Sequence, residues 1–170
     1  MSKITLAPVL SSLGEQPMGY RVTVMQAEAQ PIAAFRTRMA VRDIPARFKQ
    51  PLDRVWEFLG QHPNLRTGGH NVFLYRHDMD SAGAMTIDFG VQVASPFEAD
   101  GDVFCAMTPA GEVAATTHYG SYAGLGSAHE AVHTWMKKNG RIDGGWSWEI
   151  YGDWNEDPDK LETRILYLLR

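Results

Sequence analysis

Cysteine is nearly missing from this 170-residue chain. Its single residue, Cys105, has no partner for an internal disulfide, which excludes the stapled secreted scaffolds and points to a reducing, cytoplasmic setting. It lies in the apolar stretch Val103-Phe104-Cys105-Ala106-Met107 with no adjacent cation to activate it, so it reads as a core thiol. A basic excess is missing too. The 16 Lys and Arg stand against 20 Asp and Glu, a formal net charge of −4, so the surface that nucleic acid binding needs is absent and no direct nucleic-acid partner is expected. No run of ~18 uninterrupted apolar residues could cross a membrane. Met1 to Leu13, with one lysine and a short mixed apolar run, has neither a signal-peptide core nor an anchor, so no membrane partner is expected. There is no GxSxG elbow and no P-loop, and Gly124-Leu125-Gly126 lacks the third glycine of a dinucleotide fingerprint. The common nucleophile and phosphate chemistries drop out, and no cofactor is expected.

What is present is ample core material. With 44% hydrophobic and 11% aromatic residues, the chain has the composition of one globular domain over 1–170. At this size folding removes roughly 70% of the unfolded surface from water, so neither metal nor disulfide is required for stability.

The pattern along the chain repeats. Alternation in Tyr20-Arg21-Val22-Thr23-Val24 and the run Ile32-Ala33-Ala34-Phe35 predict strands. Leu52, Val55, Trp56 and Leu59 at helical spacing predict a helix that ends before Pro63 and Gly68-Gly69. Asn71 to Arg76 and Met85 to Ala94 then read as strands. The order returns with strands near Val103 to Thr108 and Val113 to Tyr119, a helix from about Leu125 to Asn139, and strands Trp146 to Tyr151 and Thr163 to Leu168. At one constant offset Leu52, Val55, Trp56 and Leu59 match Ala128, Ala131, Val132 and Trp135, Gly68-Gly69 matches Gly144-Gly145, and Tyr75 matches Tyr151. The first copy, about 20–94, must then carry a longer strand-to-helix connection, Arg38 to Gln50, than the second, about 103–168. The expected fold is α+β: a duplicated strand-helix-strand-strand module forming an antiparallel sheet with helices on one face and a ligand cleft between the copies.

Period-two geometry assigns faces. On Trp146 to Tyr151, the trio Trp146, Trp148 and Ile150 points one way and Ser147, Glu149 and Tyr151 the other. The apolar trio suits the helix side, which leaves Glu149 and Tyr151 on the opposite face with Phe73 and Tyr75 at the matching places of the first copy. A carboxylate in the middle of an aromatic strand either reaches water at a sheet edge or is hydrogen-bonded and used. Composition does not choose between these, and the face assignment favours the second.

Other constellations are weaker. His129-Glu130-Ala131-Val132-His133 matches the HExxH zinc pattern, but Met136 and Asn139 stand where a metzincin has its glycine and third histidine. Both histidines lie toward the flank of the buried stripe Ala128, Val132 and Trp135, in the places of Asp53 and Glu57 in the first copy. They read as partly exposed surface histidines, and no metal is expected. Asp153-Trp154-Asn155-Glu156-Asp157-Pro158 starts like a calcium loop but has proline at the glycine position and Arg164 in place of the bidentate glutamate. His77-Asp78-Met79-Asp80 reads as a polar turn.

Several stretches together resemble a known family. They are Ala110-Gly111-Glu112-Val113-Ala114 running into His118-Tyr119-Gly120-Ser121-Tyr122-Ala123-Gly124-Leu125, Trp135 with Asn139-Gly140, Trp148-Glu149-Ile150-Tyr151, Asp157-Pro158, and Thr163-Arg164-Ile165; Leu74-Tyr75 with Asp88-Phe89-Gly90-Val91 is the first-copy counterpart. The family is the GyrI-like small-molecule-binding domain, also found as the effector domain of AraC-type and MerR-type bacterial regulators. The resemblance implies a duplicated fold with an aromatic cleft and a central glutamate, which falls on Glu149. It implies binding of lipophilic, often cationic, aromatic molecules with Glu149 as charge partner, as in drug or toxin sequestration. Some members resemble hydrolases that open cyclopropane-bearing natural products, for which Glu149 would activate water. A gyrase-inhibiting, protein-binding role is a third reading. The walls implied are Tyr75, Trp148, Tyr151, Phe35, Tyr122 and His118, although for Trp148 alternation points to the helix side instead. Phe73 stands where the second copy has Glu149, so at most one copy supplies the central acid. About nineteen residues precede the first expected strand, too few for a helix-turn-helix, so a stand-alone domain is expected.

Overall fold

The computed structural model describes residues 19–170 and has the α+β architecture the periodicities predict. Met1 to Leu13, considered above for targeting, lies outside the described residues. Eight strands, β1 (Thr23–Ala27), β2 (Pro31–Ala40), β3 (Arg66–Arg76), β4 (Ala84–Val93), β5 (Val103–Met107), β6 (Gly111–Tyr119), β7 (Asp143–Tyr151) and β8 (Glu162–Leu169), form one sheet with antiparallel pairings. The helices are α1 (Ile44–Arg47), α2 (Lys49–Gln61) and α3 (Leu125–Lys138). None of them is long and apolar enough to cross a membrane. The segment 38–50 is not an open loop: β2 runs on to Ala40, and a 3-10 turn, Val41–Asp43, leads into α1.

Two units of the same order, β2-α2-β3-β4 and β6-α3-β7-β8, meet through the β3–β7 pair at the middle of the strand order β1-β6-β8-β7-β3-β4-β2-β5. The flanking strands trade sides: β1 pairs with β6 of the second unit, and β5 with β2 of the first. This exchange dictates the sheet's shape. Only three residues, 108–110, join β5 to β6, which stand six strand spacings apart. A flat sheet would separate them by about 29 Å, whereas the link reaches about 14 Å. The link 28–30 between β1 and β2 faces the same problem. The sheet must therefore curl until its ends approach, and the links are tied together where Gln30 N–H donates to Thr108 Oγ1 at 2.9 Å and Thr108 N–H to the Gln30 carbonyl at 2.9 Å.

The curl creates two apolar layers. Inside it, Ile32 and Ala34 of β2, Val72 and Leu74 of β3, Ala106 of β5, Val113 and Ala115 of β6, Trp148 of β7 and Leu166 of β8 form one cluster, joined by Trp146 and Ile150. On the outer face α2 packs with Phe73, Tyr75, Ile87 and Phe89, and α3 with Ala114, Ile165 and Tyr167. This reverses the expected face assignment. Trp146, Trp148 and Ile150 do share a face, but it is the interior of the curled sheet; Glu149 and Tyr151 look out on the helix side with Phe73 and Tyr75. Alternation gives the partition of side chains but not which side the helices cover, and both faces of this sheet are apolar.

The helical stripes also shift. Pro51, Leu52, Val55, Phe58 and Leu59 are buried on α2, while Trp56 is 37% exposed and its indole N–H donates to Asn71 Oδ1 at 3.0 Å. On α3 the buried set is Ala128, Ala131, Val132 and Met136, with Trp135 only partly buried. In each case the contact line follows the i+3, i+4 drift of a straight helix.

Candidate functional site

The helices cover the outer strands, α2 over β2 and β4 and α3 over β6 and β8. The central strands β3 and β7 lie in the gap between them. There Phe73 and Glu149 are direct cross-strand partners. They are also equivalent positions of the two units, so a pseudo-twofold axis passes through this one pair. Two glutamates here would put like charges within about 5 Å. One copy supplies the acid and the other an aromatic ring.

Glu149 is 3% exposed. A carboxylate so far from water costs several kcal/mol unless donors replace its hydration. They are present. The Tyr75 hydroxyl donates to Oε1, the Tyr151 hydroxyl to Oε2 at 3.1 Å, and His129 Nε2 of α3 lies 3.5 Å from Oε2. Burial, and then the neighbouring Glu149 charge, hold both phenols well above the ordinary tyrosine range, so they remain donors at neutral pH. Around the acid the rings interlock: Phe73 meets Tyr151 at 4.8 Å and Phe89 edge-on at 4.7 Å, Phe48 packs on Phe73 at 5.9 Å, and Tyr122, 40% exposed, stands edge-on to Tyr151 at 5.4 Å. Glu149 is enclosed by these side chains, with Tyr122 on the exposed side of Tyr151.

The expected wall residues divide. Tyr75, Tyr151 and Tyr122 gather around Glu149. Trp148 does not: it is 2% exposed on the opposite face, inside the curled sheet, because successive strand residues alternate. Phe35 is on β2, three strands from β7, opposite Phe89 in the core under α2. His118 does not reach the acid either. Its Nδ1 meets Tyr20 Oη at 2.7 Å and its Nε2 the Ser121 carbonyl at 2.7 Å, which anchors the 3-10 turn Tyr122–Gly124. A Cβ at Gly124 would lie 2.6 Å from His118 Cε1, so the turn closes on the imidazole only with glycine there. His118 thus positions the turn that carries Tyr122.

Other groups join the site unannounced by simple patterning. His129 is one, although the HExxH spacing had marked it as a histidine one turn from His133. Tyr167 is another: 5% exposed, its hydroxyl lies 2.7 Å from His129 Nδ1 and 3.1 Å from His133 Nε2. Burial, then Glu149, raises the Tyr167 phenol, while desolvation and then His129 lower His133 below the usual imidazole value. His77 leaves its expected polar turn to bond Ser147 Oγ at 2.8 Å and Asp143 Oδ2 at 2.6 Å; Asp78 and Asp80 make that turn by accepting backbone N–H groups of Thr86, Ala82 and Ala84. No group of three metal-ligating side chains is disposed to hold an ion among the described residues.

Comparison with known proteins gives the class. Residues 21–169 match the GyrI-like small molecule binding domain, and the chain belongs to that family. No curated protein matches the sequence. Among solved structures, the EcmrR C-terminal domain is similar at 18% identity with a TM-score of 0.74, covering 90% of this chain and 99% of that one. SAV2435 bound to tetraphenylphosphonium is similar at 12% identity and TM-score 0.62, covering 88% and 94%. A hydrolase encoded by lin2189 from Listeria innocua is similar at 9% identity and TM-score 0.61, covering 88% and 92%. At these identities the likeness is one of fold. This chain is therefore a GyrI-like small-molecule-binding domain.

Proposed function

We propose that the chain binds lipophilic aromatic cations in the gap between α2 and α3, with Glu149 as charge partner, and so sequesters such compounds. The observation that carries this is a 3%-exposed carboxylate framed by aromatic rings, with neither lysine nor arginine paired to it among the described residues. A delocalised organic cation suits such a place. It sheds little hydration on entry, recovers the charge interaction, and adds cation-π attraction of roughly 0.5 to 2 kcal/mol with Tyr75, Tyr151 or Tyr122. That SAV2435 is found with tetraphenylphosphonium supports the reading through a shared fold. Because Glu149 is closed off, entry requires Tyr122 to swing away from Tyr151. The test is a crystal structure with tetraphenylphosphonium. The expected position puts phosphorus over Glu149 between Tyr151 and the His129 imidazole; density confined elsewhere overturns the reading.

A second reading is supported by the same hydrogen bonds together with the fold shared with the lin2189 hydrolase. In it Glu149 takes a proton from water that attacks a strained electrophile such as an activated cyclopropane, while the phenols orient the carboxylate. Product formation that Glu149→Gln abolishes, with substrate affinity nearly kept, would support it.

A further inference from the structure

From Glu149 a line of polar atoms leads outward to His133, which is exposed on α3. Glu149 Oε2 lies 3.5 Å from His129 Nε2, His129 Nδ1 lies 2.7 Å from the Tyr167 hydroxyl, and that hydroxyl lies 3.1 Å from His133 Nε2. We infer that His129, Tyr167 and His133 form a proton relay between solvent and Glu149, in which His129 is the positioning residue that holds the carboxylate while no ligand cation occupies the site.

The hydrogen inventory permits one consistent direction. A carboxylate repels a lone pair, so with Nε2 3.5 Å from Oε2 the neutral imidazole carries its proton on Nε2. Its Nδ1 is then an acceptor, and the Tyr167 hydroxyl donates to it. The Tyr167 oxygen in turn accepts from Nε2–H of His133. Every donor along the line has an acceptor, and the charge at the buried end fixes the tautomer of each group outward. Reversing His129 would aim a lone pair at the carboxylate.

Proton delivery balances along this line. Hydronium gives a proton to His133 Nδ1, leaving water, and His133 passes its Nε2 proton to the Tyr167 oxygen. Tyr167 passes its own proton to His129 Nδ1, and His129 passes its Nε2 proton to Glu149 Oε2. One proton has moved from hydronium to the carboxylate, and all three relay groups end neutral, with both imidazoles in the opposite tautomer until the line resets. Desolvation of its inner edge, and then His129, hold His133 below the usual imidazole value, which suits a group that transmits a proton rather than keeping it. The other titratable groups facing the line are accounted for. Tyr75 of β3 and Tyr151 of β7 are raised and stay donors, while His77 beyond β3 is engaged by Ser147 and Asp143 of β7, with its ring 5.7 Å from that of Tyr167. The two histidines of the HExxH pattern thus serve a carboxylate on the neighbouring strand rather than a metal.

One consequence rests on the proposed cation binding: an organic cation over Glu149 displaces the neutral His129 N–H, so His129 and the ligand compete for the carboxylate. The relay itself does not need a ligand and is tested first without one. Nitrogen-15 NMR of histidine-labelled protein should show His129 as the Nε2–H tautomer, with the titrations of His129 and His133 mutually dependent. Tyr167→Phe should uncouple the two titrations and release the tautomer while the amide spectrum stays folded. His129 as the Nδ1–H tautomer in the wild type, or titrations unchanged by Tyr167→Phe, overturns the relay. Calorimetric titration with tetraphenylphosphonium should then show tighter binding to His129→Ala, which lacks the competing N–H, than to the wild type. Equal or weaker binding by His129→Ala overturns the competition. Absence of any binding overturns the proposed function and leaves the NMR result to judge the relay.

Discussion

Phe73 and Glu149 face one another across the central strand pair at equivalent positions of the two units. The duplication therefore places one ring and one acid on its own axis. A site on such an axis would carry two identical groups if the copies were alike, and two buried carboxylates there could not both be ionised. With phenylalanine in one unit and glutamate in the other, the pair carries one acid, flanked by the equivalent tyrosines Tyr75 and Tyr151.

Phe73→Glu tests this relationship. Removing a 5%-exposed phenylalanine should destabilise the fold by about 3 to 5 kcal/mol at any pH. The added carboxylate repels Glu149 until one of them takes up a proton, so denaturant unfolding should show a larger loss at pH 8 than at pH 5. An equal loss at both would mean that the two positions do not sense each other.

The tyrosines give a second test. Tyr75, Tyr151 and Tyr167 are raised in the fold relative to the unfolded chain, so the stability they contribute is complete below about pH 10 and is lost as pH climbs above it. Of the six tyrosines, at least these three should stay protonated in a spectrophotometric titration past pH 10 until the chain unfolds. Glu149→Gln removes the charge part of the shift and should let Tyr75 and Tyr151 ionise earlier. Six tyrosines ionising together near pH 10 in folded protein would contradict the burial described here.

Gly124→Ala probes the turn at the rim. Its Cβ meets the His118 imidazole at 2.6 Å, so His118 or the turn must shift. The expected cost is about 1 to 3 kcal/mol in thermal or denaturant unfolding, with faster entry of tetraphenylphosphonium because Tyr122 is no longer held. Tyr122→Ala should speed entry in stopped-flow binding with a smaller stability loss, since Tyr122 is 40% exposed. A Tyr122→Ala variant with unchanged association would place the entrance elsewhere.

The repeat, the two long helices and the partners Tyr75 and Tyr151 were legible in the sequence because they depend on local periodicity and a constant offset. The side of the sheet was not. Trp146, Trp148 and Ile150 are apolar enough to lie under a helix, and only the exchange of β1 and β5, a long-range pairing closed by three-residue links, shows that they fill the inside of a curled sheet. His129 is partly exposed, as expected, but its contacts with Glu149 and Tyr167 were not legible for a related reason. It sits at the edge of the α3 stripe, where a residue meets either water or the neighbouring strand, and the helix's lateral position over β8 decides which. Alternation puts Tyr167 on one face with Ile165 without saying which face the helices cover. Its hydrogen bonds to two histidines needed the tertiary register.

The central claim is that Glu149 selects for positive charge. Affinities of wild type and Glu149→Gln for tetraphenylphosphonium, and for the neutral triphenylphosphine oxide, test it in one calorimetric series. The account predicts a loss of about 30-fold to several thousand-fold for the cation, the 2 to 5 kcal/mol expected when one member of a desolvated charge pair is removed, and a change of only about threefold for the neutral compound. Equal affinities of wild type and Glu149→Gln for the cation, or equal losses for both compounds, would contradict it.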